Sequence, residues 1–330
     1  MKKNIAVLMG GYTDESIISK KSGELVYSNL NPEKYNPYRV YILKEGWYAL
    51  VDNTQHPISK EDFSFQLEGK KITFDIVFNT IHGTPGEDGF VQGYFELIGL
   101  PYTGCSFYQA AVTFNKRDCI SILSKYGIPS AKSVYINRDI PFDKNQIIEN
   151  IGFPFMVKPN ESGSSLGISK VDNPQEFDSA LKKAFAQDPN VLIESFLNGP
   201  EVSVGVINYR GEIKVLGITE IVSENAFFDY EAKYEGKSTE ITPARLSDEQ
   251  TRAVEEVAKK AYLSLGMSGF SRSEYILVDG VPHFIEMNTL PGLSPQSILP
   301  QQAAYSKIEL SDLFDNELEL ALKRKSKWNA

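Results

Sequence analysis

The sequence predicts an α/β protein built from more than one domain, on two observations. At 330 residues the chain is too long for a single simple core and suits two or three domains. Its start, residues 4–9, is a continuous apolar run that ends in Gly10 and Gly11, and residues 16–30 then carry apolar side chains at roughly helical spacing. Strand, glycine turn and helix in this order open a parallel α/β unit.

Composition narrows the class of protein. The chain is 42% hydrophobic and 23% charged, which is typical of a globular protein, and its net charge of -9 argues against a nucleic-acid partner. Cys105 and Cys119 form no CxxC pair, so neither a disulfide framework nor a zinc site is indicated. No stretch approaches the roughly 20 apolar residues of a membrane span, and the start resembles a first strand rather than a signal peptide. We therefore expect a cytoplasmic protein with no membrane partner.

A second apolar strand, residues 74–79, leads into the glycine-rich loop IHGTPGEDG at residues 81–89. Open α/β sheets bind ligands at the carboxyl ends of their strands, which makes His82 a candidate ligand-binding residue. The glycines of this loop are explained by backbone geometry alone. Asp14 and Glu15, at the start of the first helix, are likewise explained by complementarity to the helix dipole.

The middle third contains a candidate phosphate loop. Lys158 follows an apolar strand and precedes the small-residue loop 162–167, whose backbone N–H groups could face phosphate oxygens. The lysine precedes the glycines, so this is not a Walker A loop, and an ordinary surface turn is the alternative. A helix over 173–187 and two strands within 191–207 follow, and Glu194 and Glu201 flank the turn between those strands.

Residues 223–243 are polar, aromatic and aperiodic, which is typical of a lid or a functional Ω-loop, with a disordered surface insertion as the alternative. A helix then begins at a capping box formed by Ser247 and Gln250 and ends at Gly266. Another amphipathic helix, over 308–325, follows the segment described next.

Residues 270–300 contain two strands, FSRSEYILV and HFIEMN, joined by a turn at Asp279 and Gly280. Side chains alternate along a strand, so Arg272 shares a face with Glu274 and Glu286 shares a face with Asn288. Two carboxylates and an amide oxygen suit a hard cation such as Mg²⁺. A solvent-facing strand pair with scattered charges is the alternative.

The turn length decides whether the two carboxylates can act together. A two-residue Asp-Gly turn would pair Val278 with Val281 and place Glu274 and Glu286 on opposite faces. A shared face requires a turn with an odd number of residues or a bulge in one strand. We predict the odd turn.

Several motifs resemble a known family. R-S-E followed by E-M-N-T-L-P-G-L-S-P-Q-S, together with the GG-x-x-x-E start, HGTPGEDG, LPYTG and KPNESGSSLG, resembles the ATP-grasp ligases, specifically the D-alanine–D-alanine ligases. The resemblance covers nearly the whole chain. It implies a three-domain ATP-grasp architecture: an N-terminal open parallel α/β domain over 1–110, and two mixed or antiparallel α+β domains over 111–200 and 201–330 that sandwich ATP. A mobile loop is expected near 223–243.

The same resemblance implies a role for individual residues. Those expected at the nucleotide are Lys116, Lys158, Ser165, Glu194, Leu197, Glu201 and Lys233. Those expected around the first D-alanine are Glu15, His82, Ser164 and Tyr234. Glu274, Glu286 and Asn288 are expected to hold two Mg²⁺ ions, with Mn²⁺ as a substitute. Arg272 and the Gly292 N–H would stabilise an oxyanion, and Ser297 and Ile298 would bind the second carboxylate.

The implied activity is ATP-dependent ligation of two D-alanines through an acyl phosphate, for peptidoglycan synthesis, by a homodimer. A D-alanine–D-lactate ligase is the closest alternative, and Tyr234 favours the dipeptide. A regulator that binds ATP without catalysis is the second alternative, against which the intact set of metal and oxyanion residues argues. Two positions depart from the family pattern: Glu274 where Asp is frequent, and Ser162 where many members carry Glu.

Overall fold

The computed structural model describes residues 2–223, 238–294 and 296–324. The helices in these residues are α1 Ser16–Asn29, α2 Phe90–Ile98, α3 Phe107–Phe114, α4 Lys116–Lys125, α5 Lys144–Ile151, α6 Phe177–Phe185, α7 Asp248–Ser264, α8 Ile298–Tyr305 and α9 Leu310–Lys323. The strands are β1 Lys3–Gly10, β2 Tyr35–Leu43, β3 Gly46–Val51, β4 Thr54–Pro57, β5 Phe65–Leu67, β6 Lys70–Ile72, β7 Ile76–Asn79, β8 Ser133–Asn137, β9 Phe155–Pro159, β10 Ser169–Val171, β11 Asn190–Ser195, β12 Glu201–Tyr209, β13 Glu212–Ser223, β14 Ser238–Ile241, β15 Phe270–Val278 and β16 Val281–Asn288.

The first sheet has the order β4-β3-β2-β1-β7, in which β1 lies between β2 and β7 and is parallel to both. The strand, glycine turn and helix predicted at the start of the chain are present as β1, Gly10–Gly11 and α1. Parallel strands place their carboxyl ends at one edge of the sheet. The segment after β1 and the glycine-rich loop after β7 are therefore neighbours.

The second sheet, of order β10-β9-β11-β8, is antiparallel and has a core of its own. That core packs α5 and α6 against the sheet through buried side chains such as Phe155 and Phe177, whose rings meet edge to face at 4.9 Å. The predicted helix over 173–187 is present as a short 3₁₀ turn, Pro174–Glu176, followed by α6.

The third sheet is antiparallel, of order β14-β13-β12-β15-β16. α4 and α7 pack on one side of it in a second core, and the predicted capping box of Ser247 and Gln250 begins α7. The division of the chain at residues 110 and 200 stays a prediction, although each of the three sheets lies within one of the predicted ranges.

A third core joins the beginning and the end of the chain. Ile5 and Phe78 of the first sheet pack with Phe270 of β15 and Phe314 of α9, and all four side chains are buried. The Phe78 and Phe314 rings meet edge to face at 5.4 Å. The first and third sheets are therefore joined by a common hydrophobic core rather than by a polar interface.

The predicted odd turn between β15 and β16 is wrong. Val278 pairs with Val281, so the turn has two residues, Asp279 and Gly280, both with positive φ. The register instead shifts between Glu274 and Tyr275, where Ile285 is an extra residue in β16. A bulge was the alternative to an odd turn, and this bulge brings Glu274 opposite Glu286.

Both ends of the loop predicted over 223–243 contain strand residues. β13 continues to Ser223, and β14, Ser238–Ile241, pairs antiparallel with it. Edge pairing with β13 satisfies the backbone of this segment, which an aperiodic sequence did not reveal. Lys233 and Tyr234, the two residues singled out in this loop, lie outside the described residues.

No helix among residues 2–223, 238–294 and 296–324 has the length and apolar character to cross a membrane.

Candidate active site

The structure gathers the predicted site residues at two adjoining cavities that share Glu286. The first cavity is lined by Lys116, Lys158, Ser165, Glu194, Leu197, Glu201, Glu274 and Glu286. The second is lined by Glu15, His82, Ser164, Arg272, Glu286, Asn288, Gly292, Ser297 and Ile298. Every predicted site residue that the structure describes therefore lines one of the two cavities.

The first cavity lies between the second and third sheets. Lys158 of β9 and Glu194 of β11 face each other inside it, with Nζ and Oε2 2.6 Å apart and both side chains buried. Burial lowers the pKa of Lys158, but Glu194 outweighs this effect and the pKa is raised overall. A charged pair thus occupies the interior, while Met156, Ile168 and Ile276 give the cavity an apolar wall suited to a planar base.

Lys116, the first residue of α4, is held at the cavity by its backbone. Its N–H donates to the Asn160 carbonyl at 3.2 Å, and the next N–H, of Arg117, donates to Asn160 Oδ1 at 2.9 Å. The Lys116 ammonium donates to the Ser162 carbonyl at 2.9 Å and lies 3.4 Å from Glu286 Oε2. Because Lys116 bonds the backbone of Ser162, this contact does not depend on which side chain stands at position 162.

The candidate phosphate loop contacts the first helix across the second cavity. Ser164 Oγ donates to Glu15 Oε1 at 2.5 Å. A Cβ at Gly163 would lie 2.8 Å from Glu15 Oε1, and one at Gly83 would lie 2.7 Å from Oε2, so a side chain at either position would have to displace the Glu15 carboxylate. Ser164 and Ser165 both have left-handed backbones, with φ of 53° and 56°, a strained conformation that concentrates at functional loops.

Four polar side chains form a block on one face of the β15–β16 pair. Arg272 is opposite Asn288, and Glu274 is opposite Glu286. Arg272 Nη1 donates to Glu274 Oε1, and also to Ser203 Oγ at 2.9 Å. Burial lowers the pKa of Arg272, but Glu274 and Glu286 raise it further, so the guanidinium stays charged. Together with Lys116, this block brings two acids and two cations close to one another where the two cavities meet.

The block fits a hard cation that has additional ligands. Among the described residues, no group of three or more His, Cys, Asp and Glu side chains is arranged to hold a metal ion. Glu274, Glu286 and Asn288 offer two carboxylates and one amide oxygen, with no nitrogen or sulfur donor. Mg²⁺ prefers six oxygens and keeps water or phosphate oxygens among them. The residues present therefore suit Mg²⁺ that arrives with a phosphate group.

His82 lines the second cavity but is largely engaged by the protein. The imidazole is buried, and Nε2 lies 3.1 Å from Ser22 Oγ. Burial lowers the pKa of His82 to about 4, against a hydrogen bond with the Leu290 backbone that acts to raise it. The ring is therefore neutral near pH 7 and suited to positioning more than to charge pairing.

The end of the second cavity is formed where β16 leads into α8. Ser297 precedes α8, and its Oγ lies 2.8 Å from Ser294 Oγ. A Cβ at Gly292 would lie 2.8 Å from Ser297 Oγ, which shows how closely the two residues approach. The N–H of Ile298 begins α8, and helix N-termini favour carboxylates.

Two acids of the second cavity were missed from the sequence. Glu87 is buried and accepts from the Gly83 N–H at 2.7 Å. Burial, together with Glu15, raises the pKa of Glu87 to about 8. Glu240 accepts from Gln301 Nε2 at 3.1 Å, and burial raises its pKa as well. An acid inside a glycine-rich loop after a strand was the available signal for Glu87, whereas Glu240 lies in the stretch predicted as a loop.

Comparison with known proteins agrees with this geometry. The family model for the D-ala D-ala ligase N-terminus matches residues 4–105, and that for the D-ala D-ala ligase C-terminus matches residues 122–319. The D-alanine–D-alanine ligases of Flavobacterium psychrophilum and Christiangramia forsetii are 58% and 53% identical to this chain, each over 98% of it and over 99% and 100% of their own lengths.

Solved structures of related enzymes share the fold. The VanG D-Ala:D-Ser ligase of Enterococcus faecalis is 32% identical, with a TM-score of 0.86 over 97% of this chain and 100% of its own. The Bacillus anthracis D-alanine–D-alanine ligase solved with ATP is 27% identical, with a TM-score of 0.78 over 97% of this chain and 98% of its own. The predicted α/β ATP-grasp fold is confirmed, and the chain belongs to the D-alanine–D-alanine ligase family.

Proposed function

We propose that this protein joins two molecules of D-alanine to D-alanyl-D-alanine, with cleavage of ATP to ADP and phosphate, as a step in peptidoglycan precursor synthesis. The observation that carries the proposal is the block of Arg272, Glu274, Glu286 and Asn288 at the junction of two cavities. One cavity suits a nucleotide and the other suits small zwitterions. Phosphoryl transfer between them would take place at this block.

In the first step, a carboxylate oxygen of the first D-alanine attacks the γ-phosphorus of ATP, and the bond to the β,γ-bridging oxygen breaks. ADP leaves, and an acyl phosphate forms. Lys116 and Lys158 direct their ammonium groups into the nucleotide cavity, where they would offset phosphate charge. Glu274, Glu286 and Asn288 would hold two Mg²⁺ ions, for which Mn²⁺ could substitute, and these ions would bind the phosphate oxygens and neutralise charge in transfer. Glu15 and Ser164 would orient the first D-alanine.

In the second step, the neutral amine of the second D-alanine attacks the acyl carbon. A tetrahedral oxyanion forms and collapses, phosphate leaves, and the nitrogen loses a proton to give the peptide bond. Arg272 and the Gly292 N–H line the cavity at which this oxyanion would develop. One such donor is typically worth about 3 kcal/mol of transition-state stabilisation. Ser297 and the Ile298 N–H would bind the second carboxylate.

The choice of second substrate rests on sequence identity. The relatives that are 53% and 58% identical carry the name D-alanine–D-alanine ligase, whereas the D-Ala:D-Ser ligase is 32% identical. A D-alanine–D-lactate ligase and an ATP-binding regulator without catalysis are not favoured. We further propose that the enzyme acts in the cytoplasm as a homodimer with three domains, that Lys233 contributes to binding of the nucleotide, and that Tyr234 contributes to binding of the first D-alanine.

The test uses purified protein with ATP, Mg²⁺ and D-alanine, with release of phosphate and the mass of the product as readouts. We expect D-alanyl-D-alanine with one ADP per dipeptide. Parallel reactions add D-lactate or D-serine to a limiting amount of D-alanine, and we expect the dipeptide of D-alanine to dominate. ATP binding without ADP release in the presence of D-alanine would support the regulator instead, and a mixed product as the main species would reassign the second substrate.

A further inference from the structure

We propose that Ser22 is a positioning residue for the second chemical step, because its hydroxyl ties the Gly292 loop to the first helix and to His82. The proposal rests on the proposed function, since it assigns Ser22 to the placement of the Gly292 N–H. Nothing in the sequence singles out Ser22. It lies on α1, two turns after Glu15, and is completely buried.

Ser22 connects three segments that are far apart in the chain. Its Oγ accepts from the Leu293 N–H at 3.1 Å, across 271 positions of sequence. The same Oγ lies 3.1 Å from His82 Nε2. A hydroxyl has one proton and two acceptor lone pairs, so it can accept from Leu293 while it donates to an unprotonated Nε2. The neutral state of the buried His82 is the one that this arrangement requires.

The segment that Ser22 holds has no regular structure of its own. Between the end of β16 and the start of α8, the Leu290 N–H donates to Asn288 Oδ1 at 2.9 Å, and the Leu293 N–H donates to Ser22 Oγ. Both acceptors are side chains, and the two donors, Leu290 and Leu293, lie on either side of Gly292 in the sequence. Leu290 and Leu293 are buried, whereas Gly292 lines the second cavity. The backbone at Gly292 is therefore fixed from two sides.

His82 adds a second connection to the same segment. It hydrogen-bonds the Leu290 backbone as well as Ser22, so the ring spans Leu290 on one side and Ser22 on the other. The serine and the histidine thus hold both flanks of Pro291 and Gly292. An oxyanion donor that shifts by a fraction of an ångström loses much of its effect, because hydrogen-bond strength depends steeply on geometry.

This position predicts which chemical step suffers when the hydroxyl is removed. Phosphoryl transfer to the first D-alanine uses the block of β15 and β16, which Ser22 does not touch, although Ser22 contacts His82, which is predicted to bind that substrate. Attack of the second amine needs the oxyanion donors. Loss of the Ser22 hydroxyl should therefore slow peptide formation more than acyl phosphate formation, whereas a general loss of stability would slow both steps alike.

The test compares S22A with S19A. Ser19 lies on the same face of α1, is equally buried, and accepts from the Gly10 N–H at 2.9 Å, without contact to the Gly292 loop. Acyl phosphate formation is followed by positional isotope exchange in ATP labelled with ¹⁸O at the β,γ-bridge, and peptide formation by dipeptide yield. For S22A we expect kcat for the dipeptide to fall about 10-fold, since the donor is displaced rather than deleted. The exchange measured per dipeptide formed should rise by a similar factor.

For S19A, both rates should stay within about twofold of wild type, because the oxyanion donors stay in place. Hydrogen exchange of the peptide that spans 289–294 should be faster in S22A and unchanged in S19A. S22C, which keeps the volume and weakens the acceptor, should give an intermediate ratio and replaces S22A if that variant does not fold. Equal exchange-to-dipeptide ratios for S22A and S19A would overturn the role of Ser22. Failure of the wild type to form any dipeptide would overturn the proposed function instead.

Discussion

Glu274 and Glu286 lie directly opposite each other across β15 and β16, although a two-residue turn joins those strands. Ile285 makes this possible, since it is the extra residue of a bulge between Glu286 and Phe284, which pairs with Tyr275. A bulge lets neighbouring side chains share one face of a strand. Ile285 and Glu286 accordingly both line the nucleotide cavity. The bulge thus places an apolar side chain, that of Ile285, and a carboxylate, that of Glu286, at consecutive positions of the cavity wall.

Truncation of the bulge residue should weaken nucleotide binding selectively. I285A removes three carbon atoms from the wall, and we expect the KM for ATP to rise roughly 5-fold, in line with about 1 kcal/mol of lost apolar contact. The KM for D-alanine should not change, because Ile285 does not line the second cavity. Steady-state kinetics with each substrate varied in turn checks this. Equal changes in both KM values would contradict the assignment of the first cavity to ATP.

Removal of one carboxylate charge should raise the requirement for Mg²⁺. E286Q keeps the shape of the side chain, but a neutral amide binds a hard cation less strongly, so the Mg²⁺ concentration at half-maximal rate should rise about 10-fold or more. E212Q, on the exposed start of β13, is the matched control. Titration of the rate with Mg²⁺ at saturating ATP distinguishes them. An unchanged Mg²⁺ dependence in E286Q would remove Glu286 from the metal site.

Loss of the guanidinium should affect catalysis and stability together. R272A leaves the buried Glu274 without its ion-pair partner, which typically costs about 3 kcal/mol of folding free energy. It also removes an oxyanion donor, so kcat/KM should fall about 100-fold or more. R272K keeps the charge and should recover part of both losses. If the folded R272A enzyme keeps kcat/KM within a few-fold of wild type, the oxyanion role of Arg272 is wrong.

Glu87 should impose an alkaline limit on D-alanine binding. Its pKa is raised to about 8 by burial and by Glu15, so the carboxyl is protonated below that pH and becomes charged above it. The new charge lies in the cavity that would receive the substrate carboxylate, and we expect the KM for D-alanine to rise roughly 5-fold between pH 7 and 9 from like-charge repulsion. E87Q is neutral at every pH and should abolish that rise. The KM for D-alanine is measured across this pH range for both enzymes. The same pH dependence in wild type and E87Q would show that Glu87 does not become charged in this range.

Glu317 should make the fold less stable at alkaline pH. This side chain of α9 is buried against Gly104 and Gly269, and burial raises its pKa to about 8 from an ordinary value of 4.5. Between these values the folded state keeps a proton that the unfolded state releases, so the free energy of unfolding decreases as pH rises through this window. E317Q removes the contribution and should gain about 3 kcal/mol over wild type at pH 8.5, but little at pH 4.5. Urea unfolding at both pH values measures the difference, and a constant difference would refute it.

The sequence was most informative where local pattern and local structure agree. The strand FSRSEYILV is present as β15 with the same bounds, because aromatic and β-branched residues that end at an Asp-Gly turn are a local signal. The bulge at Ile285 could not be read in the same way. It is defined by pairing with β15, and the choice between an odd turn and a bulge depends on how the finished sheet packs.

For the same reason, some residues of the candidate site could not be predicted from the sequence. Resemblance to a family placed Glu15 and Ser164 together, and their side chains are in contact although 149 positions separate them. Ser22 lies in none of the quoted motifs, whereas Glu87 lies in HGTPGEDG, whose glycine-rich loop was the available signal for it. Their importance comes from burial and from contacts made by the fold, such as the bond from Leu293 to Ser22. Such contacts have no periodicity that a single sequence could display.

The arrangement of the hydrophobic cores affects how the three sheets can move relative to one another. The first and third sheets are joined by a common core, so they behave as one body. Most buried apolar side chains of the second sheet pack in a core of their own, whereas Leu192 belongs to the core that contains α4 and α7. Rotation of this sheet about its connections exposes little new apolar surface to water, and the cost of such a rotation is correspondingly small. Such a rotation would open the first cavity and would separate Ser164 from Glu15, whereas the residues of the second cavity that lie on the first and third sheets would stay together.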